Sequence, residues 1–424
     1  MKKSMHRVIS FTVAVILSTC SALSLLSVAV GALTTTADAI IQSARVYETD
    51  GIDSVNEDAL PEGLSVFYGT AAEMMEKKER EEVVSLLPAT GNESDGMTAS
   101  PVADDAEAAQ AVEDTDSITY MMMAYKRGER VDVKTVEVGY ARDVNRDDVV
   151  EFIQSDLTSE RRAQYIRDFV DEQIALPVSA YRSGIGQEAV AASSNLPPLT
   201  KNISRSFYYI GTYTPSTGES HSLMIYFQNI DYDIYRTGTD WNNNPLFLIL
   251  ATVETKPGNE LPSSFWEGIE NSTYPHVFAV CGAKTTFVNK NPSSDRFINM
   301  APNASIADLD NNDTITAQIQ CPSLVDFSYT WSVTTNDSTH TKLDVSFSET
   351  GESSVVFTAE KAKGFLRIQR PVLSTTRFVY RAGIYMLSGS AGLDTKIGMS
   401  VAYRYVNDSE TLTRWAGGTH AVTT

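Results

Sequence analysis

Phe327-Ser328-Tyr329-Thr330-Trp331-Ser332-Val333-Thr334 alternates strictly between apolar and hydroxyl side chains, and Leu343-Asp344-Val345-Ser346-Phe347-Ser348 repeats the pattern sixteen residues later. Successive side chains of an extended strand point to opposite faces. A period of two therefore buries Phe327, Tyr329, Trp331 and Val333 together and leaves the hydroxyls wet, as expected of an antiparallel sheet with one covered face. Working outward, Ile315, Ala317, Ile319 and Cys321 share one face by the same count, and Val277, Ala279 and Cys281 share another. Short strands of this kind, punctuated by Gly, Asn and Asp clusters, fill residues 196–424 and predict a β-sandwich there, as one unit or two. Antibody-like domains place a Trp between two cysteines; here Trp331 follows both, which sets this sandwich apart from them. The fold class expected is mainly β, with an antiparallel C-terminal sandwich preceded by a small α+β region and an acidic linker.

The segments before residue 196 read differently. Lys2, Lys3 and Arg7 precede an uncharged run from Val8 to Leu33, and Ala37-Asp38-Ala39 supplies the small residues of a cleavage site. Residues 1–39 are thus expected to be an export signal of bacterial type. The rival is an uncleaved anchor, since the run is long enough to cross a hydrocarbon core; the membrane would then be a partner only through that anchor. Lipid attachment at Cys20 is disfavoured because apolar residues continue past it. Within residues 40–88, Gly63–Tyr68 reads as a strand, and Thr70-Ala71-Ala72-Glu73 opens a helix with a capping box. Residues 89–117 hold no Lys or Arg and few large apolar side chains, which marks an acidic linker. Residues 118–195 open with a hairpin, Ile118–Tyr125 and Val131–Val138 around Lys126-Arg127-Gly128-Glu129, followed by a helix starting near Thr158. Asn195-Leu196-Pro197-Pro198 supplies the boundary.

Leu87-Pro88-Ala89-Thr90-Gly91 resembles the signal that sortase-family enzymes cleave between Thr and Gly to attach proteins to a Gram-positive cell wall. The family's pattern continues with an apolar segment and a basic tail near the C-terminus. An acidic stretch and more than three hundred residues follow here. A helix end with a stopping Pro and a turn Gly explains the same letters.

The chain carries a formal charge of −20, and removing Lys2, Lys3, Arg7 and Asp38 with the signal takes it to −22. Such a surface repels phosphate backbones, so nucleic acid is excluded as a partner class. Cys281 and Cys321 remain after cleavage. In an exported chain they are expected to form one disulfide, contributing about 3–4 kcal/mol for the loop it closes. Asp143, Asn145 and Asp147 resemble the first ligands of a dockerin or EF-hand calcium loop. Asp148 replaces its turn Gly and Gln154 its bidentate Glu, and capping of a helix by Asp148 with Glu151 explains the segment equally. Asp308, Asp310 and Asn312 are similarly spaced oxygen ligands without the Gly, and read as an Asx-rich turn. These six are weak metal candidates; no cofactor is expected, and Ca2+ would only stabilise a loop.

Catalytic motifs are lacking. His221, His276, His340 and His420 are scattered, there is no Gly-x-Ser-x-Gly elbow, and Gly184-Ile185-Gly186 alone does not cradle phosphate. Tyr226, Tyr232, Tyr235, Trp241 and Phe247 are candidates for sugar stacking or, more simply, for core packing. Asn-x-Ser/Thr triplets at Asn92, Asn202, Asn271, Asn303, Asn312, Asn336 and Asn407 read as surface turns. The expectation is an exported, extracellular or surface-associated protein whose sandwich binds a carbohydrate or another surface protein, or is structural, without catalysis. The alternative is a secreted polysaccharide hydrolase using a carboxylate pair that sequence cannot nominate.

Overall fold

The computed structural model describes residues 37–49, 51–77, 112–113, 115–171, 197–213, 221–258, 278–309, 314–319, 327–332, 339–361, 377–390, 392–407 and 410–424. Its strands are β1 (Arg45–Glu48), β2 (Gly63–Tyr68), β3 (Val112–Glu113), β4 (Asp116–Arg127), β5 (Arg130–Tyr140), β6 (Leu199–Tyr213), β7 (His221–Thr239), β8 (Pro245–Pro257), β9 (Phe278–Val288), β10 (Arg296–Ala301), β11 (Ile306–Leu309), β12 (Thr314–Ile319), β13 (Phe327–Ser332), β14 (Thr339–Ser346), β15 (Glu352–Lys361), β16 (Phe378–Leu387), β17 (Asp394–Asn407) and β18 (Glu410–Thr423). Two α-helices, α1 (Arg146–Asp156) and α2 (Ser159–Val170), lie between β5 and β6. The molecule is mainly β, as the alternation predicts.

One sheet runs β1-β2-β4-β5-β6-β7-β8-β16-β10 and the other β11-β14-β15-β9-β17-β18-β3, while β12 and β13 form a separate ribbon. The two large sheets face each other. Tyr209 of β6 meets Tyr403 of β17 at 5.9 Å between ring centroids, and Phe357 of β15 meets Tyr380 of β16 at 4.7 Å. The neighbouring residue shows the alternation at work: Tyr208 points to the opposite face and packs on Phe227 (4.6 Å) and on Phe152 of α1 (5.3 Å). The long strands of the nine-stranded sheet are thus covered by the second sheet on one side and by the helices on part of the other. Continuous burial along β8 and much of β5 follows from that double cover.

Local expectations hold in several places. The strand at Gly63–Tyr68 and the hairpin around Gly128 form as read. Gly128 sits at φ 64°, a left-handed conformation that glycine adopts without a Cβ clash, and its N–H is accepted by the Glu62 carboxylate at 3.0 and 3.2 Å. Thr158 caps α2, its hydroxyl accepting from the Arg161 N–H at 3.3 Å. Ile315 and Ile319 share a buried face.

Other expectations need correction. The α1 cap is Asn145, whose side chain accepts from the Asp147 N–H at 3.1 Å; Asp148 instead accepts from the Ser222 hydroxyl. The division at residue 195 falls inside a single sheet, because β5 and β6 pair in parallel over eight residues, from Val133–Ile203 to Tyr140–Ile210. The segments 40–88 and 118–195 extend that sheet through β1, β2, β4 and β5. The far end of the expected 89–117 linker is also built in, with Val112 and Glu113 paired to Trp415 and Ala416. Asn202 is not on a surface turn: it is 3% exposed within β6 and donates to Asp233 at 3.0 Å.

The helices are fastened by one buried carboxylate. Asp156, at the end of α1, is fully buried; its Oδ2 accepts from Tyr120 (2.7 Å) and Tyr165 (2.6 Å), and its Oδ1 from Arg161 Nε and Nη2 (3.0 and 2.9 Å). Tyr165 also bonds the Tyr208 hydroxyl at 2.8 Å. Burial, and then the nearby Asp156 charge, hold the Tyr120 hydroxyl well above the ordinary phenol range, so it remains a donor at all relevant pH. Replacing Asp156 by Ala leaves two buried hydroxyls and a guanidinium without their acceptor. The expected loss is about 3–5 kcal/mol, measured as a lowered urea midpoint at unchanged m-value; a loss below about 1 kcal/mol would contradict this role.

Candidate functional site

At one end of the sandwich the connections are short, and they lock together. Ser388, just after β16, donates its N–H to the Pro245 carbonyl at 3.0 Å. The Asp295 carboxylate accepts from the Gly389 N–H at 2.8 Å and from Ser294 at 3.0 Å, joining the β9–β10 turn to the β16–β17 turn. Asn289 donates its N–H to Gly351 (3.2 Å) and its amide to the Asp295 carbonyl (2.8 Å), and Phe297 N–H reaches Glu349 O at 2.8 Å, which adds the β14–β15 turn. Lys290 and Asp394 close the rim with an ion pair at 2.5 Å. Turns from both sheets thus form one polar platform.

The β7–β8 hairpin projects from it. Asp240 Oδ1 accepts the N–H groups of Asn242 and Asn244, both at 2.8 Å, and its Oδ2 accepts from the Asn244 amide at 3.2 Å. Asp240 N–H to Asn244 O (2.9 Å) and Asn243 N–H to Asp240 O (3.1 Å) complete the loop, with Asn243 at φ 68°. An Asx residue bonding its own following backbone is what fixes such a turn. The result is a rigid tip carrying Trp241, whose side chain is 92% exposed. Of the five aromatics singled out by sequence, Tyr226, Tyr232, Tyr235 and Phe247 are core, and Trp241 alone faces solvent. No sequence pattern separates it from the others except its position among Asp and Asn residues, which is a turn signal.

The buried ionisable groups inside the sandwich form a second cluster. Glu137 of β5 accepts from Arg205 of β6 at 2.8 and 3.0 Å and from Thr135 at 2.6 Å. The same guanidinium contacts His420 Nδ1 of β18. A guanidinium has no acceptor, so this imidazole nitrogen is unprotonated and receives the bond. Tyr232 lies close by with its hydroxyl buried and without a partner among the described residues, as is Arg205 Nε. Burial raises the Tyr232 hydroxyl above the ordinary phenol range. Further along, Asp132 accepts from Arg130 (2.8 Å) and from the Asn202 N–H (3.0 Å), and burial raises its carboxyl against those partners. Glu254 pairs with Lys256 at 3.4 Å and with Arg377. Each of these buried carboxylates is occupied by a cation or a donor that holds strands together, an arrangement suited to structure rather than to proton transfer.

Four of the six weak metal candidates lie among the described residues. Asn145 is used as a cap, Asp143 and Asp147 are exposed beside it, Asp308 lies on β11, and Asp310 and Asn312 fall outside the described residues. Among the described residues no three His, Cys, Asp or Glu side chains come together as a metal site. Cys281 is buried on β9, at the point where the β9–β17 register shifts, and Cys321 lies outside the described residues, as does the Leu87–Gly91 pentapeptide.

No family model matches the chain, and no curated protein matches it in sequence. Among solved structures it is similar to a protein described as a pore forming protein, at 7% identity and a TM-score of 0.28, over 55% of this chain and 93% of that one. It is also similar to the delta-toxin of Clostridium perfringens, at 10% identity and a TM-score of 0.24, over 52% and 88%. At these scores neither likeness bears on what the chain does.

His420 yields a pH prediction. Burial, and then the Arg205 charge, lower its pKa well below the usual imidazole value. A base whose folded pKa is lowered takes up its proton more readily when unfolded. Stability is therefore unaffected above about pH 6.5 and falls as pH drops below it, by up to about 1.4 kcal/mol per unit. Thermal unfolding followed from pH 7.5 to 5.5 should show this decline in the native chain and a flatter profile in His420→Gln; identical profiles would contradict it.

Proposed function

We propose that this chain is an exported protein that acts outside the membrane as a non-catalytic binding module, through the platform of turns at one end of its sandwich. The observation that carries the reading is Trp241, a large apolar ring held 92% exposed on a turn whose own polar groups are internally bonded. Exposing such a ring forgoes about 2 kcal/mol of burial, and the rigidity of the tip spares a partner the entropy of ordering it. The net charge of −20 supports a partner other than nucleic acid, and a carbohydrate or another surface protein is the partner class the reading names.

Export rests on the basic and apolar N-terminal pattern. No helix among the described residues is long and apolar enough to cross a membrane. Cleavage after Ala39 would cut within the helical residues 37–42, where Ala37 is 1% exposed and Asp38 pairs with Arg167 at 3.0 Å. That ion pair is half exposed and of small energetic consequence.

The test is an array of the purified protein on glycans, cell-wall fragments and surface proteins, with chromatography of the soluble products from the same wells. Retention without product release is the expected result. Release of shorter sugars would overturn the non-catalytic reading, and retention of nothing on the array would overturn the binding reading itself.

A further inference from the structure

We propose that the β7–β8 tip is a subsite for a neutral saccharide, with one sugar face stacked on the Trp241 indole and its hydroxyls bonded by the side-chain amides of Asn242 and Asn243. The proposal rests on the binding reading above and names its ligand.

Three features of the tip select this chemistry. First, the indole is flat, nearly fully exposed and fixed by a backbone that the Asp240 carboxylate braces on two N–H groups. The C–H face of a pyranose is an apolar surface of matching size, and an aromatic side chain offers contact area at low entropic cost. Second, Asn242 and Asn243 are exposed in the turn next to Trp241, and neither side-chain amide has a hydrogen-bond partner among the described residues. An amide presents two donors and an acceptor without charge, which suits vicinal hydroxyls. Third, the electrostatics exclude charged polymers. The only ionisable group in the turn is the Asp240 carboxylate, and the chain as a whole stands at −20, so phosphate-bearing or uronate-bearing partners are repelled.

The surroundings count against the two other occupants. A protein interface centres on an anchor within a contiguous apolar patch. The residues flanking Trp241 in the turn, Thr239, Asp240, Asn242, Asn243 and Asn244, are all polar. The other apolar side chains exposed at this end, Ile298 (40%) and Phe347 (44%), are more than half covered and belong to β10, beyond β16, and to the β14–β15 turn. A membrane contact of this size gains from neighbouring Lys or Arg and from further apolar tips; the turn from Asp240 to Asn244 has neither. A single stacked ring binds weakly, so the natural ligand is a polymer whose repeats offer many equivalent sites.

The experiment is affinity electrophoresis of the full chain through gels containing hydroxyethylcellulose, xylan, galactomannan or mixed-linkage glucan, with polygalacturonate as the anionic control. Flotation with phosphatidylcholine vesicles runs in parallel. Trp241→Ala, Trp241→Phe and the pair Asn242→Ala with Asn243→Gly are compared; glycine keeps the positive φ that position 243 requires. Retardation in at least one neutral gel is expected, weakened tenfold or more in Trp241→Ala, partly kept in Trp241→Phe, and weakened several-fold in the double variant, all at unchanged thermal midpoint. Equal retardation of the native chain and Trp241→Ala overturns the subsite and leaves the binding reading standing. Retardation confined to polygalacturonate overturns the neutral ligand, and flotation that depends on Trp241 without retardation in any gel assigns the tip to a membrane surface instead. Absence of retardation and flotation, with retention on a protein array, transfers the binding reading to a protein partner; no retention anywhere removes both.

Discussion

The parallel ladder between β5 and β6 is the contact on which the rest of the molecule depends. Parallel neighbours cannot be joined by a tight turn, so the chain must leave the sheet and return. Here it leaves through α1 and α2. The crossover explains why a single buried carboxylate carries so much: Asp156 fastens the excursion to Tyr120 of β4 and, through Tyr165, to Tyr208 of β6, the strands on either side of β5. An ion pair in that position is costly to desolvate and is kept only where every lone pair is used. Asp156 meets that condition with four bonds. The helices therefore belong to the sheet, and β1 and β2 with them.

Between the sheets the same logic is only partly satisfied. Glu137 and Arg205 pair well, but Arg205 Nε and the Tyr232 hydroxyl are buried without partners among the described residues, and His420 must remain neutral beside a guanidinium. Low dielectric makes such imperfections expensive. Elsewhere along β6, β7, β17 and β18 the sheets meet through Tyr209 on Tyr403 and through the bond from Tyr226 to the Ala416 carbonyl at 2.9 Å. The seam is thus specific in register and weakest where a proton would add charge. At the platform the turns bond one another through Asp295 Oδ1 and Asn289, while Asp295 Oδ2 is buried without a partner among the described residues, and an indole and two amides stand exposed to solvent.

How much of this was legible depends on range. Features decided within a few residues read correctly: the Gly63–Tyr68 strand, the Gly128 hairpin, the helix starting near Thr158, the shared face of Ile315 and Ile319. Asn145 was missed as a cap because three neighbouring side chains, Asn145, Asp147 and Asp148, all have the right chemistry and only the backbone path chooses between them. Asn195-Leu196-Pro197-Pro198 has the composition of a boundary, yet β5 and β6 are paired across it; strand partnership is a matter of non-local register that composition does not carry. The Asp156 cluster assembles five residues from β4, α1, α2 and β6, a spacing no motif records. Phe347 was expected inward by alternation, but β14 ends at Ser346 and the period lapses with it. Trp241 was recognised as an aromatic and not as an exposed one, since the dense Tyr and Phe around it are core.

The account stands on one continuous nine-stranded sheet rather than a sandwich with a separate N-terminal region. Native-state amide hydrogen exchange under increasing urea tests this most directly, because it reports the opening free energy of each strand. Amides of β4 and β5 should exchange with the same free energy and the same urea dependence as those of β6, β7 and β8. A lower-energy opening confined to residues 116–140, with β6 still protected, would contradict it.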